Sequence, residues 1–297
     1  MKNLIKKSFL LLIILRGGIF LNAQTTLHVV SKNIDKTIEF KAGNSVEINL
    51  EKADLTIKSW TSPQVKIQVE LLAKNPQLDA AKQDLMALKF VAERVGKTIY
   101  IRNYVAIDKG KEKPNSDLRA VITVWMPANA PVSIKNSFGK NNVQQFNGRI
   151  DLTSEFCKTK LSQLKGETTI NTRFGDLEGD NFNGKLTITS NRSNLTLRIL
   201  RGATLINATY GKIIVEADRT LTTLTVNADK ADVDISNPKN AAINYFLSAD
   251  FGTISTPKTL NFNYLENSKN RKRANLQQMA TASNVAVSTS FGHILIQ

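Results

Sequence analysis

The chain has 297 residues, a single cysteine, two histidines and a formal charge of +15 at pH 7. One cysteine excludes an intramolecular disulfide, so burial must supply the stability, and the length suffices for one large or two medium domains with a real core. The positive surplus favours anionic partners; aromatic residues make up only 7% and are not interleaved with basic ones along the chain, which argues against a base-stacking platform for nucleic acid.

Residues 1–23, MKNLIKKSFLLLIILRGGIFLNA, place Lys2, Lys6 and Lys7 ahead of an apolar run over 9–15 that resumes over 17–21 after Arg16 and ends near the small Ala23. This reads as a cleaved secretory signal, with a retained N-terminal anchor as the alternative. The run is too short and too interrupted for a membrane span of about 20 residues, and no other stretch is apolar enough, so the mature chain is expected to have no transmembrane segment. No cysteine follows the signal to carry a lipid. The expected location is outside the inner membrane, in the periplasm or at the cell surface. Loss of the four basic residues of the signal takes the charge from +15 to +11.

Residues 24–130 alternate apolar and polar positions at 46–50, 55–57, 65–69, 98–101 and 121–125, which predicts strands with one buried face. One helix is predicted, with Asn75 as N-cap, Pro76 in the first turn and Leu78, Ala81, Leu85 and Leu88 on one face. The polar stretch 108–117, DKGKEKPNSD, reads as a loop. The segment is expected to form a β-rich cap continuous with residues 131–297.

From residue 131 the chain repeats. Aromatic-Gly pairs stand at Phe138-Gly139, Phe174-Gly175, Tyr210-Gly211, Phe251-Gly252 and Phe291-Gly292, the first three 36 apart. Halving that period gives blocks starting at Phe138, Phe156, Phe174 and Arg192, with Gly148, Gly166, Gly184 and Gly202 at one position and Leu152, Ile170, Ile188 and Ile206 at another. A fifth block from Tyr210 reads as one residue longer, with Thr220 in place of the glycine. Each block holds two short alternating segments and no helical period, and eighteen residues are too few for a propeller blade. The predicted fold is therefore all-β: a single-stranded parallel β-solenoid of about 18-residue coils, right-handed by the rule for parallel crossovers, with a β-rich N-terminal cap. About eight coils stacked at ~4.8 Å would make a rod ~40 Å long. Glycine is expected at the corners because it tolerates positive φ, with the aromatic beside it stacking one coil away.

The order of signal, LEKADLTIKSWTSPQVKIQVELL, GKTIYIRN and VITVWMPANAPVSIKNSFGKNNV, followed by repeats with aromatic-Gly or Gly corners, resembles the putative-adhesin family of bacterial envelope proteins, also called toast-rack domains. Its most specific pieces are Met126-Pro127 closing a strand, then Val132-Ser133-Ile134 and Phe138-Gly139. The resemblance implies a β-solenoid, no catalytic residues, and a role in adhesion or envelope-stress signalling. The long spacing from Phe251 to Phe291, with a basic insert inside it, departs from the pattern.

Candidate sites are few. Asp176, Glu178 and Asp180 flank an inward Leu177; one coil earlier stand Lys158, Lys160 and Ser162, and one coil later Asn194, Thr196 and Arg198. This reads as a cross-strand charge ladder, each pair contributing about 0.2–1 kcal/mol. A calcium site would need the acid in repeat after repeat, and a polysaccharide lyase or hydrolase would need close carboxylates free of lysines. Asp232 and Asp234 repeat the outward pattern. His28 and His293 lack metal-ligand spacing, and Cys157 occupies a corner slot as a small residue rather than a nucleophile. Lys269, Arg271, Lys272 and Arg273 lie in a loop insert near 266–280, either solvated or a contact for an anionic glycan, a lipid head group or an envelope protein. No cofactor is expected. The expected function is a non-enzymatic exported, adhesin-like binding or scaffolding module; the alternatives are a carbohydrate-active β-helix enzyme, an envelope-stress accessory protein, or an assembly rod that self-associates through uncapped ends.

Overall fold

The period-two alternation places hydrophobic side chains on one side of each strand, and stacking of equivalent segments buries that side. The computed structural model describes residues 26–107, 110, 112–238 and 241–297. The signal-like segment 1–23 lies outside the described residues, as do Asp108, Lys109 and Lys111 of the predicted loop. The described residues form 19 strands, in one mixed and mostly parallel sheet, and one helix.

The repeat is visible as register. Strand β8 (Val132–Ser137) pairs in parallel with β10 (Ile150–Glu155), β10 with the second half of β11 (Lys158–Arg173), and so on through β12 (Leu177–Asn191) into β13 (Leu195–Ser236), every residue facing the one 18 further on. Strand β9 (Lys140–Phe146) opens the matching second column against the first half of β11. Each 18-residue rung thus contributes two strands. Ile134, Leu152, Ile170, Ile188 and Ile206 stack in one inward column, all buried. Phe146, Leu164, Phe182 and Leu200 stack in another, and each such side chain contributes about 1.5–3 kcal/mol by leaving water. The column alternates in bulk, so neighbours compensate: a Cβ at Gly179 would run into the Phe182 ring and Leu197.

The stack begins before residue 131. Strands β2 (Ser45–Glu51) and β3 (Ala53–Trp60) pair in parallel with β8 and β9, so residues 45–60 already occupy a rung. On their other edge lie β6 (Thr98–Val105) and β7 (Asp117–Pro127), also parallel. The spatial order is therefore 98–127, 45–60, 132–146, and the predicted boundary near 130 marks no change of architecture.

A second inversion closes the other end. Strand β13 pairs with β18 (Ser283–Ser290) and β19 (His293–Ile296), and these in turn with β14 (Ile243–Asp250) and β15 (Thr253–Ser255). The segment that is last in sequence is thus last but one in space, so these coils do not stack in chain order. Rung length also grows: Tyr210 and the next corner, Lys230, are 20 apart, so the fifth block is longer by two residues rather than one.

Antiparallel strands flank the stack. Strand β1 (His28–Glu39) pairs with β4 (Gln64–Asn75), β4 with β7, and β5 (Leu88–Val95) with β6. At the far end β17 (Arg271–Leu276) pairs with β14 and β16 (Asn263–Asn267) with β17. These strands discourage further pairing. Lys32 and Lys36 of β1 lie opposite Leu71 and Ile67, on the side facing the core, and β15 is only three residues long.

Helix α1 (Leu78–Ala87) buries Ala81 and Leu85 as expected, and Leu88, also buried, begins β5, but Leu78 is 41% exposed. Its N-cap is Gln77 rather than Asn75. Asn75 ends β4, and its Oδ1 accepts from the Gln77 N–H at 2.9 Å, a local turn bond that starts the helix two residues later.

The close approach of successive rungs yields a stability contrast. Gly184 has φ +135 and a Cβ there would strike the Gly166 backbone, whereas Gly43, at φ +80, faces open space. Gly184→Ala is expected to cost at least about 2 kcal/mol and Gly43→Ala about 1 kcal/mol in urea unfolding; equal costs would show that rung contact does not restrict residue 184.

Candidate functional site

Every rung turns from its first strand to its second at a residue in the left-handed region. These residues are Phe138 (φ 61), Phe156 (φ 52), Phe174 (φ 54), Arg192 (φ 52) and Tyr210 (φ 58), continued by Lys230, Phe291 and Phe251 and preceded by Lys52. The positive φ belongs to the aromatic or cationic residue, not mainly to the glycine after it. Gly139, Gly175 and Gly252 are glycines because a Cβ would run into the carbonyl oxygens of Ala53, Cys157 and Gly292 on the adjacent rung. A non-glycine residue held there costs about 1–3 kcal/mol, and repetition across the stack offsets it by aligning the side chains.

That alignment builds the candidate site. The rings of Phe138 and Phe156 stack at 4.9 Å between centroids and those of Phe156 and Phe174 at 4.8 Å, nearly parallel. Arg192 then lies over Phe174 at 5.5 Å and over Tyr210 at 5.4 Å, and Lys230 over Tyr210 at 5.3 Å. Phe291 and Phe251 stack at 5.1 Å at the far end. Sequence reading places aromatics and cations apart; the fold interleaves them, because residues 18 or 20 apart become neighbours. Both faces of Phe156 and of Phe174 are consequently taken up by rings or by Arg192, so those two rings offer mainly edges; Phe138, at the end of the ladder, stacks on one face only and is 49% exposed.

Beside these edges an open groove of about 790 Å³ is lined by Arg119, Lys140, Lys158 and Arg192 together with Asp54 and Asp176. Asp54 lies 3.6 Å from both Arg119 and Lys140. Asp176 accepts from the backbone and side-chain nitrogens of Asn194 at 3.3 and 3.2 Å, which leaves Lys158 without an ion pair among the described residues. Four cations against two carboxylates make the groove net positive.

The acidic stretch behaves as a ladder, with altered partners. Asp176, Glu178 and Asp180 point outward around buried Leu177, and Lys160 meets Glu178 at 3.1 Å. Arg198, however, pairs with Glu216 on the next rung at 3.3 Å instead of with Asp180. Asp234 is held by Lys212 at 2.7 Å, a bond that raises the lysine above its usual range, and Asp232 accepts from the His293 N–H at 2.9 Å. His293 Nδ1 lies 2.6 Å from the Thr253 hydroxyl. Among the described residues no group of three or more His, Cys, Asp or Glu side chains could hold a metal.

Most of the basic run is strand rather than loop, and only Lys269 lies in the bend before it. Arg271, Lys272 and Arg273 belong to the flanking strand β17. Arg271 makes a two-toothed contact with Asp250, at 2.7 and 3.4 Å, which lowers the carboxyl below its usual range. Arg273 lies 3.9 Å from Glu266, and Lys272, opposite buried Ala249, reaches the Ser268 carbonyl at 3.3 Å. Only Lys269 of the four has no partner among the described residues. The strand alternation, which sends successive cations to opposite sides, dissolves the patch that the sequence suggests.

Cys157 is a buried corner residue. Its thiol accepts from the Gly139 N–H at 3.4 Å, and its single S–H is within reach of the carbonyls of Asn136 and Glu155, both at 3.3 Å. Ser193 repeats this two rungs on, accepting from Gly175. Burial raises the thiol above its usual range, so the reactive thiolate is suppressed. A thiol reagent is expected to label Cys157 only after unfolding. Cys157→Ser should cost no more than about 1.5 kcal/mol and Cys157→Leu about 1–3 kcal/mol in chemical denaturation; rapid labelling of the folded protein would contradict this assignment.

Among solved structures, the chain is similar to a putative adhesin from Bacteroides fragilis NCTC 9343 (TM-score 0.44, 11% identity, covering 90% of this chain and 97% of that one). It is also similar to a putative lipid binding protein from Parabacteroides distasonis ATCC 8503 (TM-score 0.34, 12% identity, 90% and 96%) and to a putative cell adhesion protein from Clostridium sporogenes ATCC 15579 (TM-score 0.30, 13% identity, 90% and 99%). No curated protein sequence matches the chain. TM-scores this low leave the assignment to the sequence profile of one family, described as Toastrack DUF4097, which matches residues 43–297. That match covers every rung of the stack, and the chain belongs to the Toastrack DUF4097 family.

Proposed function

We propose that this protein is an exported, non-enzymatic β-solenoid whose aromatic, basic corner binds an anionic lipid surface of the cell envelope. The uninterrupted parallel register of 18 supports the solenoid reading, with the right-handed sense expected of parallel crossovers. One observation carries the ligand class: the Phe138, Phe156 and Phe174 ladder shows ring edges beside Lys140, Lys158 and Arg192. Sugars dock on the faces of aromatic rings, and the faces of Phe156 and Phe174 are occupied by stacking and by Arg192. Apolar edges flanked by cations suit the boundary between acyl chains and anionic head groups.

The carbohydrate-active alternative needs an acid of raised pKa beside a second carboxylate. Glu178, Glu216, Asp234 and Glu167 each sit within 3.3 Å of a lysine or arginine, so none of them forms a carboxylate pair free of basic neighbours. The assembly-rod alternative needs open ends, and the antiparallel strands that flank the stack weigh against it.

Sedimentation with vesicles containing phosphatidylglycerol should recover the protein, and vesicles of phosphatidylcholine alone should not. Lys140→Glu with Lys158→Glu should weaken recovery at least about tenfold, since each basic residue near an anionic surface contributes about 1 kcal/mol. Phe156→Ala should weaken it too, while Lys269→Glu should have little effect. Equal binding by the Lys140→Glu/Lys158→Glu variant, or none by the wild type, refutes the lipid reading.

A further inference from the structure

Each rung has a second corner, on the opposite edge from the aromatic ladder. There the left-handed residues are Gln145 (φ 56), Gln163 (φ 55), Asn181 (φ 59) and Ile199 (φ 54), again 18 apart. Beside them Lys165, Asn183 and Arg201 lie in register on adjacent rungs, with Asn147 one rung before. Together they line a groove of about 660 Å³ that runs across four rungs.

The chemistry of this groove differs from that of the aromatic corner in three respects. It has no aromatic side chain, so neither an acyl chain nor a nucleobase finds an apolar face. Gln145, Gln163, Asn147 and Asn183 have no side-chain hydrogen-bond partner among the described residues, although each amide offers two donors and an acceptor with two lone pairs. Two cations sit among them: Arg201 is tied to Asn181 at 2.6 Å and to Asp218 at 3.3 Å, whereas Lys165 has no partner among the described residues. Left-handed glutamines and isoleucine are costly conformations, tolerated where the surroundings hold them in place.

Unpaired amides on three successive rungs about 4.8 Å apart, Gln145 and Asn147, then Gln163, then Asn183, complement a polymer that presents hydroxyl groups at short regular intervals. We infer that this amide-lined groove binds a linear, hydroxyl-rich glycan lying along the stack axis, with Lys165 reading a carboxylate where the sugar carries one. The site is separate from the lipid-binding corner, and binding there does not depend on that reading. A protein with both would hold a glycan strand on one edge and a lipid surface on the other.

Titration calorimetry tests this with two oligomer series, β-1,4-linked N-acetylglucosamine and β-1,4-linked mannuronate, from two to eight sugars. Affinity should rise with length and level off once the oligomer spans the four rungs. Gln163→Gly with Asn183→Ala should weaken binding about tenfold, as the loss of several neutral hydrogen bonds implies. Lys165→Ala should weaken the mannuronate series alone. The corner variants Lys140→Glu and Lys158→Glu should leave glycan binding unchanged, so failure of either site is read separately. If Gln163→Gly/Asn183→Ala unfolds by circular dichroism, Asn147→Ala/Lys165→Ala, both at exposed positions, gives the same test. Wild-type protein that binds neither series, or amide variants that bind as the wild type does, overturns the proposal.

Discussion

The constraint on which the structure rests is the distance between successive rungs at the corners. Backbone hydrogen bonding sets that distance, and at the corner after Phe174 it leaves no room for a Cβ above the Cys157 carbonyl. Small residues there follow from contact, and the left-handed aromatic before them follows from the turn that the contact imposes. Cys157 and Ser193 alternate in this column with Gly139, Gly175 and Gly211, and their Sγ and Oγ accept from the N–H groups of Gly139 and Gly175. The same spacing that excludes a Cβ brings the rings to 4.8–4.9 Å, so one geometric requirement produces both the corner and the ladder on its surface.

A repeated rung presents the same edge wherever it occurs, and this explains the two places where the stack departs from chain order. The hairpin-like excursion through β4, α1 and β5 lets residues 98–127 return to the outer side of 45–60, and the segment 283–296 inserts before 243–255. Both departures lie at the ends, where a rung has one free edge, and both bring antiparallel strands over the parallel columns. At the outer edge of β1, Lys32 and Lys36 on the core-facing side guard against further pairing.

The electrostatics divide along the same geometry. On the flat sides the charges meet opposite partners one rung away, as Lys160 does Glu178 and Arg198 does Glu216, and those pairs cancel locally without making a site. At the corners the pattern breaks: cations share the ladder with rings, and lysines such as Lys158 and Lys165 lack partners among the described residues. Both candidate sites therefore lie on the edges of the stack rather than on its faces.

Much of this is legible in the residues themselves. The period from Phe138 through Arg192, the inward columns through Ile170 and Ile188, and the outward direction of Asp176 and Glu178 follow from spacing and alternation alone, because strand pairing at constant offset is a local property of the repeat. The corner cations Lys52 and Lys230 escape that reading, since one precedes the repeat and the other follows a 20-residue rung. The amide row is hidden for a different reason: glutamine and asparagine at surface positions look like ordinary solvated residues until the turn puts them side by side. The sequence by itself determined a stack of parallel β rungs and which side chains face inward, because burial demands a periodic pattern. Only the tertiary structure decided the order of the rungs, the strand nature of 271–276, the partner of Arg198, and which residue of each Phe-Gly pair takes the left-handed turn, because these depend on contacts between segments that no period along the chain specifies.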